Sequence, residues 1–181
     1  MKNRLLLPIL SLAALALLSG CNTTSVGITD YVNPAPSAPL SQFARYELAP
    51  VTMAKAFEGQ KPNEKAKEKL QVEIGLRFDP VIADWNAREG ATGDTLLIEP
   101  HIREIKFISG GSRFWAGAMA GDSAVVCSVT FRNKETGEVV ASPNFYQHAN
   151  AMGGAWSIGG TDNAMLNRMA GLIVEYANNN F

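Results

Sequence analysis

Cysteine and histidine are scarce in this chain, and the scarcity narrows its chemistry. Of 181 residues, two are cysteine and two are histidine. Cys21 and Cys127 are too few for a disulfide framework. His101 and His148 fall on different strand-like runs with no second ligand at metal spacing, so hydrogen-bonded or solvated strand histidines are expected and no metal site is. Positive charge is not in excess either. The chain carries 16 basic and 17 acidic side chains, and without Lys2 and Arg4 the remainder is 14 against 17, net −3. Such a balance gives no electrostatic footprint for nucleic acid. The longest apolar run, Leu5 to Leu18, is about 14 residues, short of the roughly 20 that span a bilayer. No phosphate-loop motif is present, since Gly121 is followed by Asp122 where a lysine and a hydroxyl residue are required.

What is present begins with a leader. MKNRLLLPILSLAALALLSGC has a basic start, an apolar stretch and small residues before a cysteine, the layout of a secretory signal peptide. Leu18-Ser19-Gly20-Cys21 resembles the bacterial lipobox, which implies a signal peptide over 1–20 and a lipidated Cys21 as the first mature residue. Asn22, rather than Asp, in the next position is similar to lipoproteins sent on to the outer membrane. From Asn22 to about Leu40 the chain is polar and dotted with proline, so residues 21–42 are expected to be the lipidated cysteine and a flexible tether, and 43–181 one periplasmic domain.

The domain reads as α+β. ARYELAPVTM is a first strand broken by Pro50, which marks an edge or bulge. Ala66, Leu70, Ile74, Phe78, Ile82 and Trp85 form one helical face, with a kink or restart expected at Pro80 and Asp79 as the cap of the second piece. In TLLIEPHIREIKFIS, Leu96, Ile98 and Ile102 share one parity, Ile105 and Phe107 the other, which requires a bulge near Arg103 and Glu104 or partial burial on both faces. Val125, Cys127, Val129 and Phe131 alternate with Ala124, Ser128 and Thr130 as in a half-buried strand, so Cys127 is expected to be buried and inert. RNKETGEVVA predicts a hairpin with Gly137 in the left-handed conformation, and EVVASPNFYQHA a strand interrupted at Pro143. Thr161 or Asp162 is the expected N-cap of a last helix with Met165, Met169, Leu172, Ile173 and Tyr176 on one stripe. The order is strand, helix, three strands, helix, and a small antiparallel sheet with both helices on one face satisfies it.

Function is expected in two segments. GGSRFWAGAMAGDS, residues 110–123, is a connection of about a dozen residues, longer than a tight hairpin. Gly117 and Gly121 form G-x-x-x-G in a stretch too short for its membrane meaning. AMGGAWSIGGTD brackets Trp156 with paired glycines. Three readings stand side by side: Trp115 and Trp156 plug the edges of a small core; Arg113, Trp115, Gly117, Gly121 and Trp156 form an exposed interaction patch, since aromatics and arginine carry interface energy; or the same residues line a groove for a glycan or small ligand, with an anion at the helix start. Asp79, Asp84, Asp94 and Glu99 form no evident acid and base pair, and neither an enzyme activity nor a cofactor is expected.

GGSRFWAGAMAGDSAVVCSVTFRNKETGEVVA resembles the G-S-R, glycine-spaced loop, strand and TGEVVA hairpin of a group of uncharacterised Gram-negative lipoproteins, a domain-of-unknown-function family, over most of residues 45 to 178. The resemblance implies the compartment and the fold and brings no activity with it. The element order is also similar to small periplasmic domains of envelope assembly lipoproteins that activate peptidoglycan synthases or serve polysaccharide export. The expectation is an outer-membrane lipoprotein on the periplasmic face, anchored through Cys21, that acts as an interaction or assembly module for other envelope proteins or for copies of itself.

Overall fold

A computed structural model of the chain describes residues 33–90, 92–106, 123–149 and 160–181. Strand β1 (Arg45–Leu48) and the short β2 (Thr52–Met53) are followed by the long helix α1 (Lys61–Asn86), then β3 (Thr95–Lys106), β4 (Ser123–Asn133), β5 (Val139–Ala141), β6 (Asn144–Ala149) and helix α2 (Gly160–Asn179). β3 and β4 form the centre of the sheet; β1 and β2 line the free side of β3, and β5 and β6 the free side of β4. The α+β class and the order of elements agree with the sequence. The breaks at Pro50 and Pro143 divide both edge columns in two, as proline at a sheet edge does.

The sheet is mixed where antiparallel pairing alone was expected. β1 and β2 run parallel to β3, while β3, β4, β5 and β6 are antiparallel. The cause is α1. A strand that returns to its neighbour through a helix on one face re-enters in the same direction. The 26 residues of α1 rise about 39 Å, which matches the roughly 40 Å of the 12-residue β3.

Pro80 does not divide α1, which continues through it, and Asp79 caps nothing. The amide that proline lacks would have paired with the carbonyl of Leu76, a residue on the solvent side at 68% exposure, where water satisfies that carbonyl at little cost. Ile74, Phe78 and Trp85 hold the helix to the core on either side. At its start, the Glu64 carboxylate in the first turn reaches back past the N-cap Gln60 to accept the Gly59 amide at 3.0 Å.

The core lies between the helices and one face of the sheet. Ala66, Leu70, Ile74, Phe78 and Trp85 of α1 meet Met165, Leu166, Met169, Ala170 and Ile173 of α2 over Leu96, Ile98, Ile102, Val125, Cys127, Val129 and Phe131. Leu172 is on the solvent side of α2, so the apolar stripe is turned from the expected one toward Leu166, Ala170 and Ala177. The parity change in β3 is resolved by a register shift between Ile102 and Glu104; Ile105 then points inward, 4% exposed. Gly137, at φ 78°, closes the β4–β5 hairpin in the conformation only glycine adopts without strain.

Residues 33–42 fall in the stretch assigned by sequence to the tether, and here they are packed on the domain. Leu40 is fully buried and its amide donates to Asn180 O at 2.9 Å. The Ser37 amide donates to Val140 O at 2.9 Å. Asn33 takes both backbone groups of Asn144, donating to its carbonyl at 2.9 Å and accepting from its amide at 2.8 Å. The run thus occupies the open side of β5 and β6, covering an edge that would otherwise invite pairing.

Candidate functional site

The residues singled out by sequence, Cys21, Arg113, Trp115, Gly117, Gly121 and Trp156, lie outside the described residues, as do the side chains of Thr161 and Asp162. Their flanks are described. Lys106, the last residue of β3, pairs with Ala124. Ser123 and Ala124, the first residues of β4, pair with Ala149 and His148 at the end of β6. The connection of residues 107–122 therefore leaves from and returns to the same end of the sheet at which 150–159 begins. One strand separates β3 from β6, and adjacent strands lie about 4.8 Å apart, so the points of departure are within about 10 Å of each other.

The opposite end is closed by aromatic packing. Trp85 stacks on Phe181 with ring centres 4.2 Å apart and planes at 7°, and Tyr46 meets Trp85 at 5.0 Å. Arg88 holds this end together. Its guanidinium donates to Ser41 O (3.1 Å), Phe43 O (2.8 Å) and the Tyr46 hydroxyl (2.8 Å), its Nε to Trp85 O (3.0 Å), and its central carbon lies 4.7 Å from the Phe181 ring centre. The Tyr46 hydroxyl in turn donates to Leu40 O at 2.7 Å. Burial raises the Tyr46 pKa above its ordinary value despite the nearby Arg88.

A polar depression crosses the outward face of the sheet, the face on which no described helix packs. It measures about 380 Å³ and is lined by Ala54, His101, Arg103, Ser128, Ser142 and Asn144. The lining runs across the strands because Thr52, His101, Ser128 and Asn144 sit at one level of the register. The β3 bulge leaves Arg103 without a β4 partner in the ladder, and its Nη1 reaches past β4 to donate to Asn144 Oδ1 at 3.1 Å. His101 Nδ1 is 2.8 Å from Thr52 Oγ1. Sequence reasoning did not find this row, because its members come from four strand segments with no common motif; the parity change at Arg103 was the available signal.

Other sequence candidates are placed as structural groups. Cys127 is completely buried, and burial pushes its thiol up to about 12, so thiolate chemistry at neutral pH is closed to it. His101 and His148 are both on the outward face, at different levels, and no group of metal-ligating residues occurs among the described residues. Glu99 pairs with Arg132 at 2.9 Å, Asp94 accepts the Asn133 amide at 2.7 Å, and Asp79 and Asp84 are exposed on α1. These four carboxylates do not converge. Among the described residues no helix is long and apolar enough to cross a membrane.

A mixed sheet covered on one face by two helices defines a two-layer α+β domain. No family model matches the chain, and no curated protein matches it. Similar folds occur among solved structures. A protein of the DUF330 family from Xanthomonas campestris superposes with a TM-score of 0.48 at 14% identity, covering 81% of this chain and 90% of that one. The PelC dodecamer from Paraburkholderia phytofirmans gives 0.40 at 13% identity, covering 76% and 90%. A hypothetical protein from Chlamydia trachomatis, CT253, gives 0.40 at 10% identity, covering 76% and 97%. At these identities and scores the likeness is one of fold outline, and no function is carried across.

Proposed function

We propose that this chain is an outer-membrane-anchored periplasmic lipoprotein whose α+β domain is an interaction or assembly module of the cell envelope, engaging other envelope proteins or further copies of itself. The observation that carries the reading is the convergence of flanks: β3, β4 and β6 deliver 107–122 and 150–159 to one end of the sheet. A patch that combines Arg113, Trp115 and Trp156 needs that convergence, since interface energy concentrates in a few clustered aromatic and arginine side chains. The opposite end is already filled by Trp85, Arg88 and Phe181. The anchor is supported by the sequence alone, through the leader and Cys21. Between Cys21 and Asn33 lie 11 residues, enough to span about 36–40 Å when extended, so a domain held at Asn33 remains close to the bilayer.

Two substitutions test the reading. Cys21→Ser is expected to abolish incorporation of labelled fatty acid and formation of the mature lipidated form, and a wild-type chain that takes up no label overturns the anchor. Trp115→Ala is expected to preserve the far-ultraviolet circular dichroism and the melting temperature while lowering the recovery of co-purifying envelope proteins or of a second, differently tagged copy. An unfolded product instead makes Trp115 a core plug and removes the patch.

A further inference from the structure

The geometry points to a second site, separate from the sheet end: the depression on the outward face is a binding site for a hydroxyl-rich ligand bearing one carboxylate, the chemistry of a uronic acid. Three features of the lining converge on that class. Arg103 is the one guanidinium there, and the bulge that frees it from the ladder also turns it across β4. Its contact with Asn144 occupies Nη1. The planar fork has five donors, so the side chain can meet a carboxylate with two parallel bonds while it keeps Asn144. β-Bulges commonly re-aim a side chain beside a functional site.

The number of charges selects a monoanion. Glu99 and Glu104 lie on the same face of β3 as Arg103 and His101, and of these two carboxylates Glu99 is paired, with Arg132 at 2.9 Å. A doubly charged phosphate would face one guanidinium and the field of these carboxylates. A carboxylate matches the guanidinium one for one and leaves less charge uncompensated. The rest of the lining is neutral and hydrogen-bonding: the hydroxyls of Ser128 and Ser142, the Asn144 amide, and His101, whose Nδ1 is held by Thr52 and whose Nε2 is the ring nitrogen left for a ligand. Such groups match hydroxyls, and the depression is broad and open as a site for part of a polar chain is.

The site is also braced. Asn144 is fixed through both backbone groups by Asn33, and Arg103 is fixed by Asn144. The position of the ligand-binding fork is therefore set by the segment that links the domain to its N-terminus. A preorganised site binds more tightly, because less side-chain entropy is lost on binding.

The test is a titration of the full chain in detergent with glucuronate, followed by amide chemical shifts, with glucose, acetate and phosphate as comparison ligands. Saturable shifts at Ser128 and Asn144 with glucuronate are expected, in the millimolar range typical of one exposed sugar unit. Glucose and acetate should each bind about tenfold more weakly or worse, because each supplies half of the chemistry. Arg103→Ala should weaken glucuronate about tenfold or more, as loss of hydrogen bonds to a charged group does. Arg103→Lys should restore only part of that, lacking the fork, and Ser128→Ala should cost about threefold. Arg103 is exposed, so its variants should keep the fold, verified by an unchanged melting temperature. Absence of saturable shifts, indifference to Arg103→Ala, or phosphate binding as tightly as glucuronate overturns the assignment.

Discussion

Cys127 and Ser128 are neighbours in β4, and they belong to opposite environments. On the inward face Val125, Cys127, Val129 and Phe131 are each fully buried under the two helices. On the outward face Ser128, Thr130 and Arg132 are partly exposed, with Ser128 donating to His101 O and Arg132 pairing with Glu99. The helices account for the difference. Both cross the same side of the sheet, so the inward side chains of β4 are committed to the core, while Ser128, Thr130 and Arg132 on the other face stay partly open. Chemistry follows the same division: the only thiol described is removed from reactivity by burial, while the two histidines and the bulge arginine stand on the open side. The lesson is that in a chain so poor in cysteine and histidine, the face a residue occupies says more about its role than its type does.

This comparison is broken most forcefully from within the core. Phe131→Ala should cost about 3–5 kcal/mol, through lost burial and the cavity left behind, whereas Thr130→Ala next to it should change stability by less than about 0.5 kcal/mol. Urea unfolding followed by circular dichroism measures both, and equal effects would remove the distinction between faces. Arg88→Ala comes next, at about 2–3 kcal/mol, because three backbone carbonyls and the Tyr46 hydroxyl lose a charged donor at once. A loss below about 0.5 kcal/mol would show that the aromatic end holds without it.

Cys127→Ser sharpens the contrast at about 1–3 kcal/mol, the cost of burying a hydroxyl where a thiol fitted. In the native wild type the same thiol should resist a thiol-specific reagent until the protein unfolds, and rapid labelling under native conditions would contradict its burial. The smallest effect concerns Glu73. Hydrogen bonds from Lys69 and then Arg77, at 2.8 and 2.6 Å, hold its carboxyl below the usual range against the opposing effect of burial. A carboxyl whose folded pKa is depressed stabilises the fold above its unfolded value near 4.5, and that contribution disappears as pH falls through the folded value. Glu73→Gln should therefore flatten part of the stability loss below about pH 4.5 while leaving pH 7 stability within about 1 kcal/mol. An unchanged acid limb of the melting curve would show the carboxylate to be uncoupled from folding.

Much of the frame was legible because it depends on short-range rules. The parity change from Ile102 to Ile105 announced a bulge, and the register shift stands there. Gly137 announced a left-handed turn, and Pro50 and Pro143 announced broken edges. Direction was not legible, since alternation in β1 and β2 is the same whether they run parallel or antiparallel to β3; only the crossover through α1 decides it. Pro80 misled because its local penalty was judged without its exposure. The end of the tether was hidden in composition: Asn33, Ser37 and Leu40 sit among prolines and polar residues, and their partners, Asn144, Val140 and Asn180, are more than 100 residues away. The outward depression was hidden for a related reason, as a row across strands has no signature along the chain.

The central claim is that the sheet end that gives rise to 107–122 and 150–159 is the docking surface of an anchored domain. In-cell photo-crosslinking tests it most directly, with the crosslinker placed at 115, at 156, and as a reference at Leu76 on the solvent side of α1, where exposure is 68%. The account predicts a discrete adduct, an envelope protein or a second copy of this chain, from 115 and from 156 and none from 76. No adduct from either tryptophan position in cells where the protein is abundant and membrane-associated, or the same adduct from all three, would contradict it.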